Sequence, residues 1–490
     1  PHADAELVLS LVAPAHLAWE FELDLATPPM GESQPALQHD LASPTPLRPA
    51  APPDPAVVQT AGVAGPPHID SQPSLQFAAP HEKAPTGWRT LASPAPASFS
   101  PGTGPTPAPA FVDPDQSLAE PDRDRLARHR RFWVPVRRSA TRTETLPVEA
   151  QLAFHSRCIS LYVDRATGDE PAANERLRFP ELASLLETQV LPTVRECLGP
   201  IADVDGDGRL AVLLTPLLEE WQAGTTPLRA FVRAADFDPT LTPPDSNHAD
   251  VIYLNRQQLA AGGLPAILLH EAAHLACFTR RTAAGLPPAT VEWLDEGLAH
   301  AVELRVLGRS TNLADRLDRL VASPHRSPLL AGEWPTRGRD TWRDPGSRGA
   351  MALFVHWLTQ AQPDALRQLV DSPHAPQAAC AHLGGIPFPE LFARFSLALQ
   401  RGELTHGLRP AGEEWQVATG PARLTLRGST SLRVGCRGLK PGQVITLTTP
   451  AGVAPHCTWL SPNAREHGGP AAAVAAAPTS GPAEPARNTR

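Results

Sequence analysis

Two histidines in the second half of the chain stand four residues apart, and a glutamate directly follows the first. They form the motif His270-Glu271-x-x-His274 in a segment with helical apolar spacing. On a helix, residues four apart differ by about 40° of rotation and about 6 Å of rise, so both imidazoles can reach one metal ion. Glu271 lies about 100° round the helix from His270, so its carboxylate can touch a water on that metal.

A catalytic zinc ion needs a third protein ligand and an open fourth position. The segment 291–304 offers Glu296, on a second predicted helix that begins a short distance after His274. The spacing therefore predicts a zinc site formed by His270, His274 and Glu296. The metal would lower the pKa of its bound water towards about 7 and polarise a scissile carbonyl. Glu271 would then act as the general base.

The oxyanion that develops in such a reaction needs a hydrogen-bond donor close to the metal. Three downstream residues are candidates for this role, or for holding a ligand in place: His300, Arg348 and His356. A helix that carries two ordinary surface histidines is the alternative interpretation of the HExxH motif. Cys277 lies one turn beyond His274, where buried packing or a bridge to Cys380 is expected in place of a thiolate ligand.

The motif HEAAH followed by WLDEGLA resembles the paired zinc motifs of gluzincin metallopeptidases. More narrowly, the order of DVDGDGRLAVLL (203–214), NHADVIYLN (247–255) and the two zinc motifs resembles the hyicolysin family of neutral metallopeptidases. The resemblance covers roughly residues 130–400. It implies a zincin fold, one zinc ion, and hydrolysis of peptide bonds in proteins or peptides by a secreted or cell-envelope bacterial enzyme.

Carried over by this resemblance, Glu271 is the catalytic carboxylate and the zinc ligands are the three residues at matching positions: His270, His274 and Glu296. The chain departs from the family pattern in three places. Asp295 replaces the usual Asn, and His300 stands where an acidic residue often orients a ligand histidine. Arg348-Gly349 occupies the place of a Tyr-Gly pair. These departures bear on turnover rate and pH optimum more than on metal binding.

Two other functions stay open. The first is a cell-surface binding protein that keeps the zincin fold without turnover and uses its Pro-rich stretch as a stalk. Glu271 argues against it, because a protein that only binds does not need this carboxylate. The second is a zinc hydrolase that acts on cell-wall peptides.

Three aspartates alternate with other residues in the segment DVDGDG. Asp203, Asp205 and Asp207 have the spacing of a calcium-binding loop. An EF-hand loop also needs an acidic residue at its twelfth position, where this chain has Leu214. The segment therefore predicts either a calcium site completed from elsewhere or a plain acidic turn before a strand.

The elements that must position these residues follow from apolar periodicity. Strands are predicted at 132–136, 148–164 (one bent strand or a hairpin), 209–217 and 249–255. Helices are predicted at 179–197, 265–279, 290–306, 348–361, 363–370 and 388–401. Strands with one helix followed by mostly helices indicate an α+β, zincin-type domain with a sheet and a helical lobe. The strand at 249–255 is either internal or the sheet edge that receives a substrate strand.

The 57 prolines in 490 residues are about twice the usual share, which predicts long linker segments. The predicted domain organisation is a short N-terminal segment at 1–28, a disordered Pro/Ala-rich linker or pro-segment at 29–121, the metallopeptidase domain at 130–405, a small all-β module at 412–460 and a disordered tail at 461–490. The β module is expected to attach the enzyme to substrate or to a surface. Its deletion is then expected to leave hydrolysis of small peptides unchanged.

The net charge, the apolar runs and the cysteine count limit which partners, membrane segments and disulfides the chain can have. With a net charge of −8, the chain has no overall positive charge that would attract nucleic acid. No apolar run reaches the length of a transmembrane helix, and residues 6–19 lack the basic region of a signal peptide. Six cysteines are compatible with bridges such as Cys436–Cys457 and Cys158–Cys197, or with reduced, buried thiols.

Overall fold

A computed structural model of the protein describes residues 5–13, 17–25, 111, 128–137, 143–165, 173–218, 228–331, 344–405, 408–416, 419–438, 445–448 and 455–460. The predicted linker at 29–121, apart from Phe111, and the predicted tail at 461–490 lie outside these residues. No helix among the described residues is long and apolar enough to cross a membrane.

Thirteen strands are present in the described part of the chain: β1 (Ala5–Leu11), β2 (Ala18–Leu25), β3 (His129–Arg137), β4 (Thr143–His155), β5 (Ile159–Asp164), β6 (Leu210–Thr215), β7 (Ala230–Phe231), β8 (Val251–Asn255), β9 (Glu413–Gln416), β10 (Ala422–Arg427), β11 (Thr430–Arg437), β12 (Ile445–Thr448) and β13 (His456–Leu460). The predicted strand or hairpin at 148–164 is a hairpin, formed by β4 and β5 with a register shift between Leu152 and Phe154.

The helices in the same residues are α1 (Ala173–Arg176), α2 (Phe179–Leu185), α3 (Leu191–Cys197), α4 (Leu264–Ala283), α5 (Glu292–Leu307), α6 (Thr311–Ala322), α7 (Pro345–Thr359), α8 (Ala365–Asp371), α9 (Pro376–Gly384) and α10 (Phe388–Gln400). All six predicted helical segments are confirmed, and the first consists of α2 and α3 joined by one π turn. The sequence analysis missed the short helix α1 and the helices α6 and α9. The α+β class is confirmed.

A six-stranded sheet has the order β3-β4-β5-β6-β8-β7. Its centre, β5, β6 and β8, is parallel, and the outer strands pair antiparallel. Strand β6 (LAVLLT) is buried along its whole length, as expected of a central parallel strand. Leu210, Val212 and Leu214 join the core on the helical side, and Ala211 and Leu213 join a second core on the other face.

Strand β8 lies inside the sheet, between β6 and the two-residue strand β7. The internal alternative for the segment 249–255 is therefore confirmed, and the edge alternative was wrong. The edge on this side of the sheet is β7. It also contacts α4, the helix that carries the HExxH motif.

In the helical lobe, α5 packs closely against α7. Gly297 allows this approach, because a Cβ at this position would lie 2.7 Å from Val355 Cγ2 and 3.1 Å from the Met351 carbonyl oxygen. Beside this contact, the fully buried rings of Trp293 and Phe354 pack edge to face, with centroids 6.2 Å apart. This packing fixes the first turns of α5 against the middle of α7.

The two ends of the described chain form one β structure. Strand β1 pairs with β11 and β13, and strand β2 pairs with β10 and β12. Leu9, Phe21, Leu23, Leu426 and Val434 are buried together in its core. The prediction of a separate module at 412–460 needs correction, because residues 5–25 supply two of its strands. Periodicity within one segment carries no information on its pairing partner.

No disulfide joins any of the six cysteines. The bridges proposed from sequence spacing were therefore wrong. The alternative of reduced, buried thiols holds for four cysteines, but Cys197 is only partly buried and Cys457 is exposed. Cys277 and Cys380 are both buried in the helical-side core.

Candidate metal centre

Helix α4 presents the HExxH motif from a largely buried position. Pro265 stands in its first turn, where a fixed φ and the missing N–H cost nothing. The apolar residues that follow pack into the core on the helical side of the sheet. His270 and His274 remain 5% and 8% exposed, so both imidazoles lie at the bottom of the site.

Three potential ligand atoms converge at this position. His270 Nε2 lies 3.2 Å from His274 Nε2 and 3.4 Å from Glu296 Oε2. The ligand atoms of the three residues all lie within 4.8 Å of one another. Zinc–ligand bonds of about 2.0–2.1 Å at tetrahedral angles separate two ligand atoms by about 3.3 Å. The donor set predicted from sequence therefore fits one zinc ion.

The charge states of two of these side chains suit metal binding. Burial, together with the charge of His270, lowers the pKa of His274 to about 3, so its imidazole is neutral. Burial alone would raise the pKa of Glu296, but Arg348 and His270 hold it well below its usual range. A neutral imidazole and an ionised carboxylate are the forms that bind a metal.

Glu271 is 8% exposed and lies beside the ligand cluster without joining it. Burial raises the pKa of this carboxyl to about 7, and nearby Glu296 adds to the rise. A carboxylate in this position can accept a proton from a water at the metal.

Arg348 approaches the cluster from the first turns of α7, and its guanidinium donates to Glu296 Oε2. The side chains of Glu296 and Arg348 keep 12% and 18% of their surface exposed, so the site is open on this side. Of the three candidate donors, Arg348 is the one that is both cationic and accessible.

His300 has a different position from the one an oxyanion donor needs. Its side chain is fully buried, with Nε2 3.8 Å from Glu296 Oε2 and its ring centroid 4.3 Å from that of His270. Its Nδ1 lies 2.9 Å from Glu303 Oε2, and because a carboxylate accepts, this nitrogen carries the hydrogen. Burial, with the charges of neighbouring cations, keeps the pKa of His300 well below its usual range. The ring of His300 therefore packs between His270 and Glu303.

The sequence analysis missed Glu303, which is completely buried behind the ligands. It accepts hydrogen bonds from Ser310 Oγ and from Asn312 Nδ2, and its Oε2 lies 3.8 Å from His270 Nδ1. Glu303 thus provides the acidic neighbour of a ligand histidine that was expected at position 300. Spacing could have revealed it, because residues 296, 300 and 303 lie on one helix face.

His270, His300 and Glu303 form a second group whose ligand atoms lie within 4.8 Å of one another. His300 and Glu303 are fully buried and hydrogen-bonded to each other, and Glu303 has two further donors. A metal ion in this group would have to displace these bonds. The group that contains His274 and Glu296 is therefore the better metal centre.

The remaining predicted residues lie elsewhere. His356 stands two turns beyond Arg348 on α7, where burial and the charge of Arg305 lower its pKa. It does not join the cluster. Asp295 accepts hydrogen bonds from the Thr290 backbone N–H at 3.1 and 3.2 Å, and so holds the loop that leads into α5.

Of the three aspartates in the predicted calcium loop, two lie together in a cluster of carboxyl groups. Asp203 and Asp205 come together with Asp250, which the sequence analysis did not select, and their ligand atoms lie within 4.8 Å of one another. Asp207 lies outside this group, since its Oδ1 accepts the Arg209 backbone N–H at 2.8 Å. Leu214, at the twelfth position of the loop, is buried in β6.

Comparison of the sequence with protein-family models gave no match, and a search of curated proteins gave none either. The resemblance to gluzincins therefore rests on the sequence motifs.

Proposed function

We propose that this chain is a zinc-dependent endopeptidase with a zincin-type domain at residues 130–405, secreted or held in the cell envelope. The convergence of three ligand atoms carries the proposal: His270 Nε2 lies 3.2 Å from His274 Nε2 and 3.4 Å from Glu296 Oε2, both close to the separation of tetrahedral zinc ligands, and the ligand atoms of all three residues lie within 4.8 Å of one another. It is supported by Glu271, which stands next to this group in a buried position.

When bound, the zinc ion supplies a Lewis acid for the scissile carbonyl and acidifies the attacking water. His270, His274 and Glu296 hold it. Glu271 accepts the proton of the attacking water and passes it to the leaving amine. Arg348 lies beside Glu296, where its guanidinium can stabilise negative charge on the substrate oxygen.

The edge strand β7 gives the substrate a place to lie. It pairs with β8 on one side only among the described strands, and it contacts α4. An extended peptide can therefore add to this edge through backbone hydrogen bonds, next to the helix that carries the HExxH motif.

The test compares zinc content and casein hydrolysis in wild type, Glu271→Gln and Glu181→Gln. Glu181 is exposed on α2, so the same substitution there serves as the matched control. We expect about one zinc ion in all three proteins. Turnover should fall by about 10²–10⁴-fold in Glu271→Gln alone, because the general base is lost.

Wild-type protein without zinc would overturn the metal centre. Zinc in the wild type with hydrolysis of cell-wall peptides but not of casein would favour the cell-wall hydrolase. Zinc in wild type and in Glu271→Gln, with hydrolysis of neither casein nor cell-wall peptides by either protein, would favour the binding protein. Equal turnover in wild type and Glu271→Gln would remove the assigned role of Glu271.

A further inference from the structure

Three carboxyl groups lie close together at the end of the central sheet where β6 and β8 begin. Asp203 and Asp205 belong to the loop that leads into β6, and Asp250 directly precedes β8. The ligand atoms of Asp203, Asp205 and Asp250 lie within 4.8 Å of one another.

Asp250 is the informative member of this cluster. It is 1% exposed, and its Oδ1 accepts the Val204 backbone N–H at 3.0 Å. In the described structure its Oδ2 is buried and has no hydrogen-bond partner. A buried carboxylate oxygen without a donor is costly, and such groups are usually paired or bound to a metal.

Asp203, on the loop, also has one hydrogen-bonded carboxylate oxygen and one that is buried without a partner. Its Oδ2 accepts the Gly208 backbone N–H at 2.9 Å, and its Oδ1 is buried without a partner. Gly206 and Gly208 both have φ of +74°, which lets the loop fold back round the carboxylate. Each of the two aspartates therefore uses one oxygen to hold the backbone and leaves the other without a donor.

The charges of the cluster are only partly balanced. Arg130 pairs with Asp205, with Nη1 2.5 Å from Oδ2. Burial and the neighbouring carboxylates raise the pKa of Asp250 well above its usual range and also raise the pKa of Asp203. One guanidinium is thus set against several acidic groups, and a cation would stabilise their ionised forms.

We propose that Asp203, Asp205 and Asp250 bind one Ca²⁺ ion that ties the loop before β6 to the start of β8. Calcium takes oxygen ligands at about 2.3–2.6 Å, so two ligands across the ion lie up to about 5 Å apart, which matches this cluster. Oxygen donors alone select a hard cation over zinc. The site is independent of the proposed zinc centre, because the two share no residue.

The test is a calorimetric titration of the full chain with CaCl2 after treatment with EGTA, followed by thermal unfolding. Wild type should bind one Ca²⁺ with a Kd between about 1 µM and 1 mM. Its Tm should rise by about 5 °C at saturating calcium. Asp250→Asn should lose at least ~10-fold in affinity and most of the Tm rise, because the amide removes one charged ligand.

Two controls make the result specific. Asp245→Asn changes an exposed residue in the same segment and should bind calcium like the wild type. A His270→Ala, His274→Ala double variant should also keep the calcium response, which separates this site from the zinc centre.

If Asp250→Asn does not fold, Asp203→Asn takes its place, since Asp203 is partly exposed on the loop. Wild type without calcium binding, or variants at positions 250 and 203 that bind calcium as tightly as the wild type, would overturn the proposal.

Discussion

At the scale of single residues, two sets of interactions converge on His270. Its Nε2 faces His274 and Glu296, while its Nδ1 faces the buried carboxylate of Glu303 at 3.8 Å. A carboxylate near a ligand histidine raises the basicity of the ring. At 3.8 Å this contact is longer than a hydrogen bond, and His270 Nδ1 has no hydrogen-bond partner among the described residues, so Glu303 acts on His270 through its charge. The acidic neighbour here comes from a residue seven positions after Glu296, with His300 packed between them.

We expect Glu303→Gln to weaken zinc binding by about 10–100-fold, because the amide removes the negative charge that supports His270. Competition with a chromophoric chelator measures this affinity. Glu292→Gln, on the exposed side of the same helix, is the control and should bind zinc like the wild type. Unchanged affinity in Glu303→Gln would show that Glu303 only stabilises the fold.

At the scale of elements, the metal centre depends on the contact between α5 and α7. This contact places Arg348 against Glu296, although 51 residues separate them in the sequence. Gly297, next to the predicted ligand, is the point of closest approach between the two helices. The position of Glu296, a proposed zinc ligand, is therefore linked to the packing of α7.

We expect Gly297→Ala to destabilise the fold by about 1 kcal/mol, and by at most about 2 kcal/mol. Alanine improves helix propensity by about 1 kcal/mol, but overpacking costs about 1–3 kcal/mol, and here the new Cβ would meet both Val355 and the Met351 carbonyl. Urea unfolding of the metal-free protein measures the change.

Gly262→Ala is the matched control for this substitution, because nothing lies within 4 Å of its added Cβ. Its free energy of unfolding should stay within about 0.5 kcal/mol of wild type. Equal stability of the two variants would contradict the tight contact between α5 and α7.

At the scale of the whole molecule, the β structure built from both chain ends changes what a truncation should do. The Leu329 backbone N–H donates to Ser429 O at 2.9 Å, and that of Leu330 donates to Ser429 Oγ at 3.0 Å. Gln400 Nε2 donates to Ser431 Oγ at 3.1 Å. The β structure is therefore bonded to the helical lobe and cannot be treated as a detachable module.

We expect deletion of 412–490 to lower the Tm and the solubility of the remaining protein. Strands β1 and β2 would lose all four pairing partners, and Leu9, Phe21 and Leu23 would be exposed to solvent. Deletion of 461–490, which contains no described strand, is the control. A 412–490 deletion as soluble and as thermostable as the control would restore the earlier expectation of an independent module.

The sequence by itself determined the local features of this protein. The HExxH spacing selected His270, Glu271 and His274 because helix geometry converts a separation of four residues into one face. Apolar periodicity located five of the six strands of the central sheet, all but the two-residue β7, and most helices for the same reason: each pattern depends only on neighbouring residues. The helix that carries Glu296 was also predictable from the apolar spacing of residues 291–304 alone.

Only the tertiary structure decided which distant residues meet. Asp250 joins the acidic loop because β8 lies beside β6, and Arg348 reaches Glu296 because α7 packs on Gly297. The pairing of β1 with β11 joins residues more than 400 positions apart. A single sequence carries no local signal for such contacts, since they depend on the burial of whole faces against one another.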